Sequence, residues 1–360
     1  MSNICFLIGN ISHSGGTERV TTIIANEFAK KNKQVHILSL SGVGNPFFEQ
    51  HENIINSSLF TTNVSMRRHL LAVIAKIRKY LIEHQIETLV VVDSISCVFT
   101  VPACLGLKIN HICWEHFNFK VNLGTRLRDL GRWMAAKWCT KIVTLTERDK
   151  SFWIEKYPKI NNKIFVIANP SPFENLDHQP TLESRTVLAV GRLDYIKGFD
   201  LLLEAWALVC KEVDERWILN IVGGGQEDAN LKQLAQNLAI EARVIFSGQQ
   251  KDVDSFYKKA SIYCLTSRNE GFPMVLLEAQ SYGLPIVAFD CDTGPAELIE
   301  HDVNGFLVKS LSIVKLSEAL ASMININSNK YNELILNSQK TTERFKADFI
   351  VKSWEKLLMN

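Results

Sequence analysis

The sequence predicts an α/β protein built from two consecutive doubly wound domains, and three features predict it. Short apolar runs rich in Val, Ile and Leu alternate with segments of helical period along nearly the whole chain. The runs are continuously apolar rather than alternating, as expected of strands in a parallel sheet covered on both faces. The series breaks once, at Asn169-Pro170 and the polar stretch to Ser184, and then begins again.

In the first series, ICFLI from Ile4, QVHILSL from Gln34, TLVVV from Thr88, ICWEH from Ile112, KIVTL from Lys141 and KIFVI from Lys163 read as strands. Helical patterns fall at Thr17–Lys31, Met66–His84, Leu123–Cys139 and Glu147–Tyr157. The second series runs through TVLAV (from Thr186), WILNIV (Trp217), RVIFS (Arg243), SIYCL (Ser261), PIVAF (Pro285) and GFLV (Gly305). Between its first two strands, Phe199, Leu202, Leu203, Trp206 and Val209 make one apolar helical face. The predicted bounds are 1–170 and 171–344. A terminal helix at about 345–360, with no strand after it, is expected to pack back on the first domain. Two such domains should enclose a cleft between their strand ends, where open parallel sheets bind ligands.

Hydrophobic residues make up 46% of the chain and charged residues 22%, the composition of a well-cored soluble protein. The net charge of +2 hides an asymmetry: residues 1–170 hold 21 Lys/Arg against 12 Asp/Glu, the remainder 19 against 26. A basic first half points to an anionic partner, either a membrane surface or a phosphorylated acceptor. The second half, net acidic and without basic stretches interleaved by aromatics, argues against nucleic acid. Eight scattered cysteines without a C-x-x-C pair read as reduced thiols of a cytosolic protein, not as a metal or disulfide framework. The N-terminus has no signal-peptide pattern. The apolar run Leu89–Leu107 contains Asp93 and Pro102 and begins as a β-branched strand, so it does not read as a membrane span.

Three motifs follow strands. In SHSGGTERV, from Ser12, Gly15 and Gly16 stand where a first helix opens, either an anion site for a diphosphate or an ordinary tight turn. In TVLAVGRLDYIKGF, Arg192 and Lys197 sit on the loop after a strand, as phosphate-binding cations or as a solvated basic loop. In RNEGFPMVLLEAQSYG, from Arg268, Glu270 precedes a helix opening near Pro273, and Glu278 follows a little over two turns later. Free amides around Gly271, Phe272, Pro273, Met274 and Val275 suit an anion or a hydroxyl. Two carboxylates suit sugar hydroxyls, unless Glu270 is only a helix-start charge and Glu278 a solvent residue.

Together these stretches resemble the retaining glycosyltransferases of family four, which share the GT-B fold of two facing Rossmann-like domains. The resemblance spans nearly the whole chain, including NIVGGGQE from Asn220, FSGQQKDV from Phe246 and DTGPAELIEHDVNGFLV from Asp292. It implies that Arg192 and Lys197 bind the donor diphosphate, with Gly16 approaching it from the other domain. Glu278 would hold the ribose, Glu270 and the amides after it the donor hexose, and the segment around Gln249 would face the base. His116, at the end of ICWEH, would lie at the reacting centre; on its residues alone it is equally a core histidine.

The implied reaction moves a hexose or N-acetylhexosamine from a nucleotide diphosphate sugar, UDP favoured, to a saccharide acceptor, lipid-linked and carried on undecaprenol in the leading case. The resemblance implies retention. No DxD-like carboxylate cluster reads at a strand end to hold a metal, so metal-independent transfer is expected, Arg192, Lys197 and helix N-termini neutralising the leaving nucleotide. No cofactor is expected. The alternatives are a sugar-nucleotide epimerase of the same fold and a non-catalytic sugar-nucleotide-binding subunit. On the Leu123–Cys139 segment, Leu123, Leu127, Leu130, Met134 and Trp138 form an apolar stripe, with Arg128 and Arg132 opposite and Arg126, Trp133 and Lys137 flanking. A second basic amphipathic helix spans Met66–His84. Both fit peripheral contact with the anionic inner face of a membrane.

Overall fold

The computed structural model describes residues 3–42, 44–62, 64–66, 68–173 and 176–359. The chain divides into two compact units, Met1–Pro172 with Ala347–Asn360, and Phe173–Lys346.

The first unit holds a seven-stranded parallel sheet: β1 (Asn3–Ile8), β2 (Gln34–Ser39), β3 (Ile54–Ser58), β4 (Thr88–Val92), β5 (Asn110–Trp114), β6 (Lys141–Thr144) and β7 (Ile164–Val166). Their order is β3-β2-β1-β4-β5-β6-β7, so the winding reverses between β1 and β4. The inner strands are buried on both faces, which is why β1 and β4 read as nearly continuous apolar runs, while β5 admits the buried His111. The edge strand β3 was not legible, since of IINSS only Ile54 is buried. Helices α1 (Gly16–Lys30), α2 (Leu70–Glu83), α3 (Cys97–Cys104), α4 (Arg126–Trp138) and α5 (Glu147–Lys156) connect the strands.

Helix α4 corrects the sequence reading. Its buried positions are Arg128, Gly131, Arg132 and Ala135, while Leu130, Trp133 and Trp138 are exposed. The arginines face inward because acidic partners wait there. The register pairs Val92 with Trp114, so Asp93 and Glu115 leave β4 and β5 side by side. Both carboxylates take α4 guanidinium groups.

The second unit carries β8 (Thr186–Val190), β9 (Ile218–Val222), β10 (Val244–Gly248), β11 (Ile262–Leu265), β12 (Ile286–Asp290) and β13 (Gly305–Lys309), parallel in the order β10-β9-β8-β11-β12-β13. Here the winding reverses between β8 and β11. Helices α6 (Phe199–Val209), α7 (Asp228–Asn237), α8 (Asp254–Lys258), α9 (Met274–Ser281), α10 (Pro295–Leu298), α11 (Ile313–Ile324) and α12 (Ser328–Glu343) surround the sheet. The α6 face made by Phe199, Leu202, Leu203, Trp206 and Val209 is buried in this unit's core. The chain then returns to the first unit as α13 (Ala347–Met359). There Trp354 stacks edge-on against Trp114 at 4.9 Å, and Glu355 pairs with Lys31 at 2.8 Å.

Candidate active site

In the second unit, the loops after β8 and β11 lie side by side at the switch point. Lys197, from the first loop, places its Nζ 2.6 Å from Glu270 Oε1 on the second. Ser267 Oγ donates to the same oxygen at 2.6 Å. Gly198 makes this approach possible: it takes φ 67°, and a Cβ there would stand 2.1 Å from the Thr266 carbonyl oxygen. Arg192 is not part of the pair. Its guanidinium is solvent-exposed and held by Asp194 at 2.6 Å, while Asp194 also accepts the Lys197 amide.

Beyond Glu270 the chain passes Gly271, then Phe272, buried against Phe345, and Pro273, which precedes α9. The amides of Met274 and Val275 belong to the helix's first turn and so have no intrahelical acceptor. Glu278 is buried on α9 and accepts from the Tyr257 hydroxyl at 2.8 Å. It is therefore not the solvent residue its alternative reading allowed. Gln249 is exposed beside Gly224, in the loop after β9.

The residues singled out in the first unit are two loops apart. Gly15 is the N-cap of α1 and Gly16 its first residue. The largely buried Glu18 carboxylate folds back over this turn: a Cβ on Gly15 would meet Glu18 Oε2 at 2.3 Å, and the Thr17 hydroxyl donates to that oxygen at 2.8 Å. Sequence reasoning missed Glu18. The signal was there, an acid three positions after the N-cap, the spacing by which a glutamate reaches back to a helix start. His116, just past β5, is buried with its ring 4.4 Å from that of Trp114, and its Nε2 has no hydrogen-bond partner. Burial pushes its pKa down to about 3, so the imidazole is neutral.

Comparison with known proteins bears on this arrangement. Residues 173–341 match the family described as Glycosyl transferases group 1, and residues 14–172 match Glycosyltransferase Family 4. An uncharacterized glycosyltransferase of Haemophilus influenzae is 40% identical over 358 residues, covering 99% of this chain and all of that one. The chain is a family 4 glycosyltransferase. The enzyme is also 27% identical to the "GalNAc-alpha-(1->4)-GalNAc-alpha-(1->3)-diNAcBac-PP-undecaprenol alpha-1,4-N-acetyl-D-galactosaminyltransferase" of Campylobacter jejuni, over 99% of this chain and 98% of that one. Its GT-B fold is shared with Anabaena HepE solved with UDP, at a TM-score of 0.81 and 19% identity over the whole of both chains.

Two features of the transferase bear on metals. Among the described residues, Cys97, His111 and Cys139 form a group whose ligating atoms lie within 4.8 Å of one another. It is buried, and His111 stands at the amino end of β5, about 16 Å along the chain from His116. There His111 Nε2 meets Thr100 Oγ1 at 3.0 Å, and burial pushes its pKa down to about 4. At the carboxyl end of β12, Asp290 and Asp292 have D-x-D spacing, so the reading that no DxD-like carboxylates stand at a strand end is corrected. Among the described residues they join no third ligating side chain of the kind seen in the cysteine–histidine group.

Proposed function

We propose that this glycosyltransferase moves a hexose or N-acetylhexosamine from a UDP-sugar to a saccharide acceptor on a lipid carrier, in surface-glycan assembly. The observation that carries the donor half is the Lys197–Glu270 pair at the ends of β8 and β11, with Glu278 buried behind it on α9. A lysine held by a carboxylate, rather than neutralised in a core, can turn to a phosphate oxygen and leave the carboxylate to accept a sugar hydroxyl. The bound UDP of HepE supports a uridine donor. Lys197 and Arg192 carry the charge of the departing diphosphate, so the reaction needs no metal. The bond from the anomeric carbon to the β-phosphate oxygen breaks, and the acceptor oxygen attacks from the same face. Its proton passes to the departing phosphate. The α-linkage in the name of the Campylobacter relative supports retention, since UDP-hexoses are themselves α-linked. Neutral His116 contributes a hydrogen bond near the sugar rather than a positive charge.

The undecaprenol in that relative's name supports a lipid-linked acceptor. So does the outward face of α4. Trp133 and Trp138 pack edge-on at 5.1 Å, with Lys137 Nζ 5.3 Å and 4.6 Å from their ring centres, beside exposed Leu130 and Arg126. Exposed indoles with cations suit the headgroup region of an anionic bilayer, and we place the enzyme at the cytoplasmic face. No helix among the described residues is long and apolar enough to cross a membrane.

The test is a screen of the purified chain against UDP- and GDP-hexoses, reading nucleotide release and binding. UDP-sugar selectivity with release of UDP is expected. Conversion of a UDP-hexose to its epimer would replace this reading with the epimerase. Tight donor binding without turnover, with every lipid-linked acceptor tried, would replace it with the non-catalytic subunit.

A further inference from the structure

The chain from Glu115 to Val121 leaves β5 without helix or strand, and His116 sits in it. Asp149 accepts the Phe119 amide of this segment at 2.7 Å, and a guanidinium makes most of the other ties. Arg132, 1% exposed on α4, donates from Nε to Glu115 Oε2 at 3.0 Å and from Nη2 to the carbonyls of Asn118 (2.9 Å) and Val121 (3.1 Å). Its Nη1 donates to the carbonyl of Phe119. Glu115 completes the tie: Oε1 accepts the Phe117 amide at 3.1 Å, and Oε2 also accepts the Ser94 hydroxyl at 2.5 Å. A second pair flanks the first, Arg128 gripping Asp93 through two bonds at 2.6 and 3.0 Å.

This arrangement is costly. Two acids and two arginines are withdrawn from water, and a well-packed apolar core of the same volume would stabilise the unit as well or better. Asp93 adds strain, because it takes φ 87° without being glycine. Gly131 is spent on it too: a Cβ there would stand 2.2 Å from the Ser94 carbonyl oxygen. Only this close seat of α4 lets Arg132 reach under the loop. What a planar fork of donors supplies, and apolar packing does not, is fixed placement of several backbone carbonyls at once. The fixed backbone carries His116, whose Nε2 has no partner, and Asn118, whose Nδ2 has none either.

We infer that Arg132 and Glu115 are positioning residues of the transferase, holding the 115–121 loop so that the His116 ring keeps its place beside the donor sugar. This rests on the role given to His116 above. Groups on loops keep catalytic geometry only when a supporting shell locks them. Neither Arg132 nor Glu115 touches substrate in this scheme; both act through His116.

The experiment is a double-mutant cycle on the full chain. The rate of UDP release is measured with whichever of UDP-glucose, UDP-galactose, UDP-GlcNAc and UDP-GalNAc the wild type turns over fastest, and UDP affinity is read by calorimetry. Arg132→Lys should lower kcat at least tenfold with UDP affinity within twofold. Ser94→Ala, which removes one bond to Glu115 and little packing, should lower it two- to fivefold. In a His116→Ala background both losses should vanish, because nothing remains to be positioned. Melting curves show that each variant is folded; if Arg132→Lys is not, Ser94→Ala carries the cycle. Losses that multiply with that of His116→Ala would show a structural role and overturn the inference. So would an unchanged kcat in both variants while His116→Ala is impaired. A silent His116→Ala beside an impaired Arg132→Lys would overturn the inference through His116 itself, and with it the assigned role of that residue.

Discussion

Lys197 Nζ and Glu270 Oε1 stand 2.6 Å apart although 73 residues separate them in sequence. Each closes the loop after one of two adjacent parallel strands, so the pair forms at the point where a doubly wound sheet presents its ligand site. Lys197→Ala should weaken UDP-sugar binding by about 1.5–3 kcal/mol, the usual worth of a charged hydrogen bond. Glu270→Gln should keep nucleotide affinity and lose turnover. Calorimetry showing unchanged UDP affinity in Lys197→Ala would remove the lysine from the diphosphate site.

Glu278 is expected to act on affinity. Glu278→Ala should weaken nucleotide binding and also destabilise the unit, because it breaks the buried hydrogen bond from the Tyr257 hydroxyl, a loss of about 0.5–1.5 kcal/mol. Tyr257→Phe separates the two effects: it breaks the same buried bond from the other side, so it should cost comparable stability while leaving the nucleotide bound. If Glu278→Ala binds UDP as the wild type does, the ribose contact is lost as an explanation.

Metal-free transfer is tested with excess chelator, under which UDP release should persist. Abolition, with recovery on adding magnesium or manganese, would shift attention to Asp290 and Asp292.

The pKa of His116 gives a pH dependence with a definite sign. Burial lowers it to about 3 from an ordinary value of about 6.5 in the unfolded chain. Between those values the unfolded state binds the extra proton, so stability is lost as pH falls below about 6.5. At pH 5 the loss is about 2 kcal/mol, at about 1.4 kcal/mol per unit. Urea unfolding at pH 7.5 and pH 5 should show the wild type losing ground relative to His116→Asn. The kcat profile should show no acid limb near pH 6.5 that disappears in His116→Asn; such a limb would mean that the ring titrates in water.

Binding to vesicles should follow the outward face of α4. The chain should co-sediment with anionic vesicles, much less with neutral ones, and be released by salt. Replacing Trp133, Lys137 and Trp138 together should abolish this while leaving UDP affinity intact. Neutralising Arg128 or Arg132 should instead damage the fold, since each is buried against a carboxylate. No difference between the vesicle types would make a soluble acceptor the better choice.

The sequence by itself determined the two parallel sheets, because strands buried on both faces read as near-continuous apolar runs, as ICFLI does throughout and TLVVV and TVLAV do after their leading Thr. It also marked Lys197, Glu270 and Glu278, since loops after strands and helix starts carry visible chemistry. The tertiary structure decided which charges meet. Helical periodicity sends the apolar stripe of α4 inward by default, yet Arg128 and Arg132 are the buried residues. Their partners, Asp93 and Glu115, are supplied by neighbouring strands through register, and no local pattern around α4 encodes that. Glu18 at the start of α1 and the exposed position of Arg192 were likewise settled in space. A carboxylate's energy depends on which donors lie within about 3 Å of it, and the folded chain alone sets that distance.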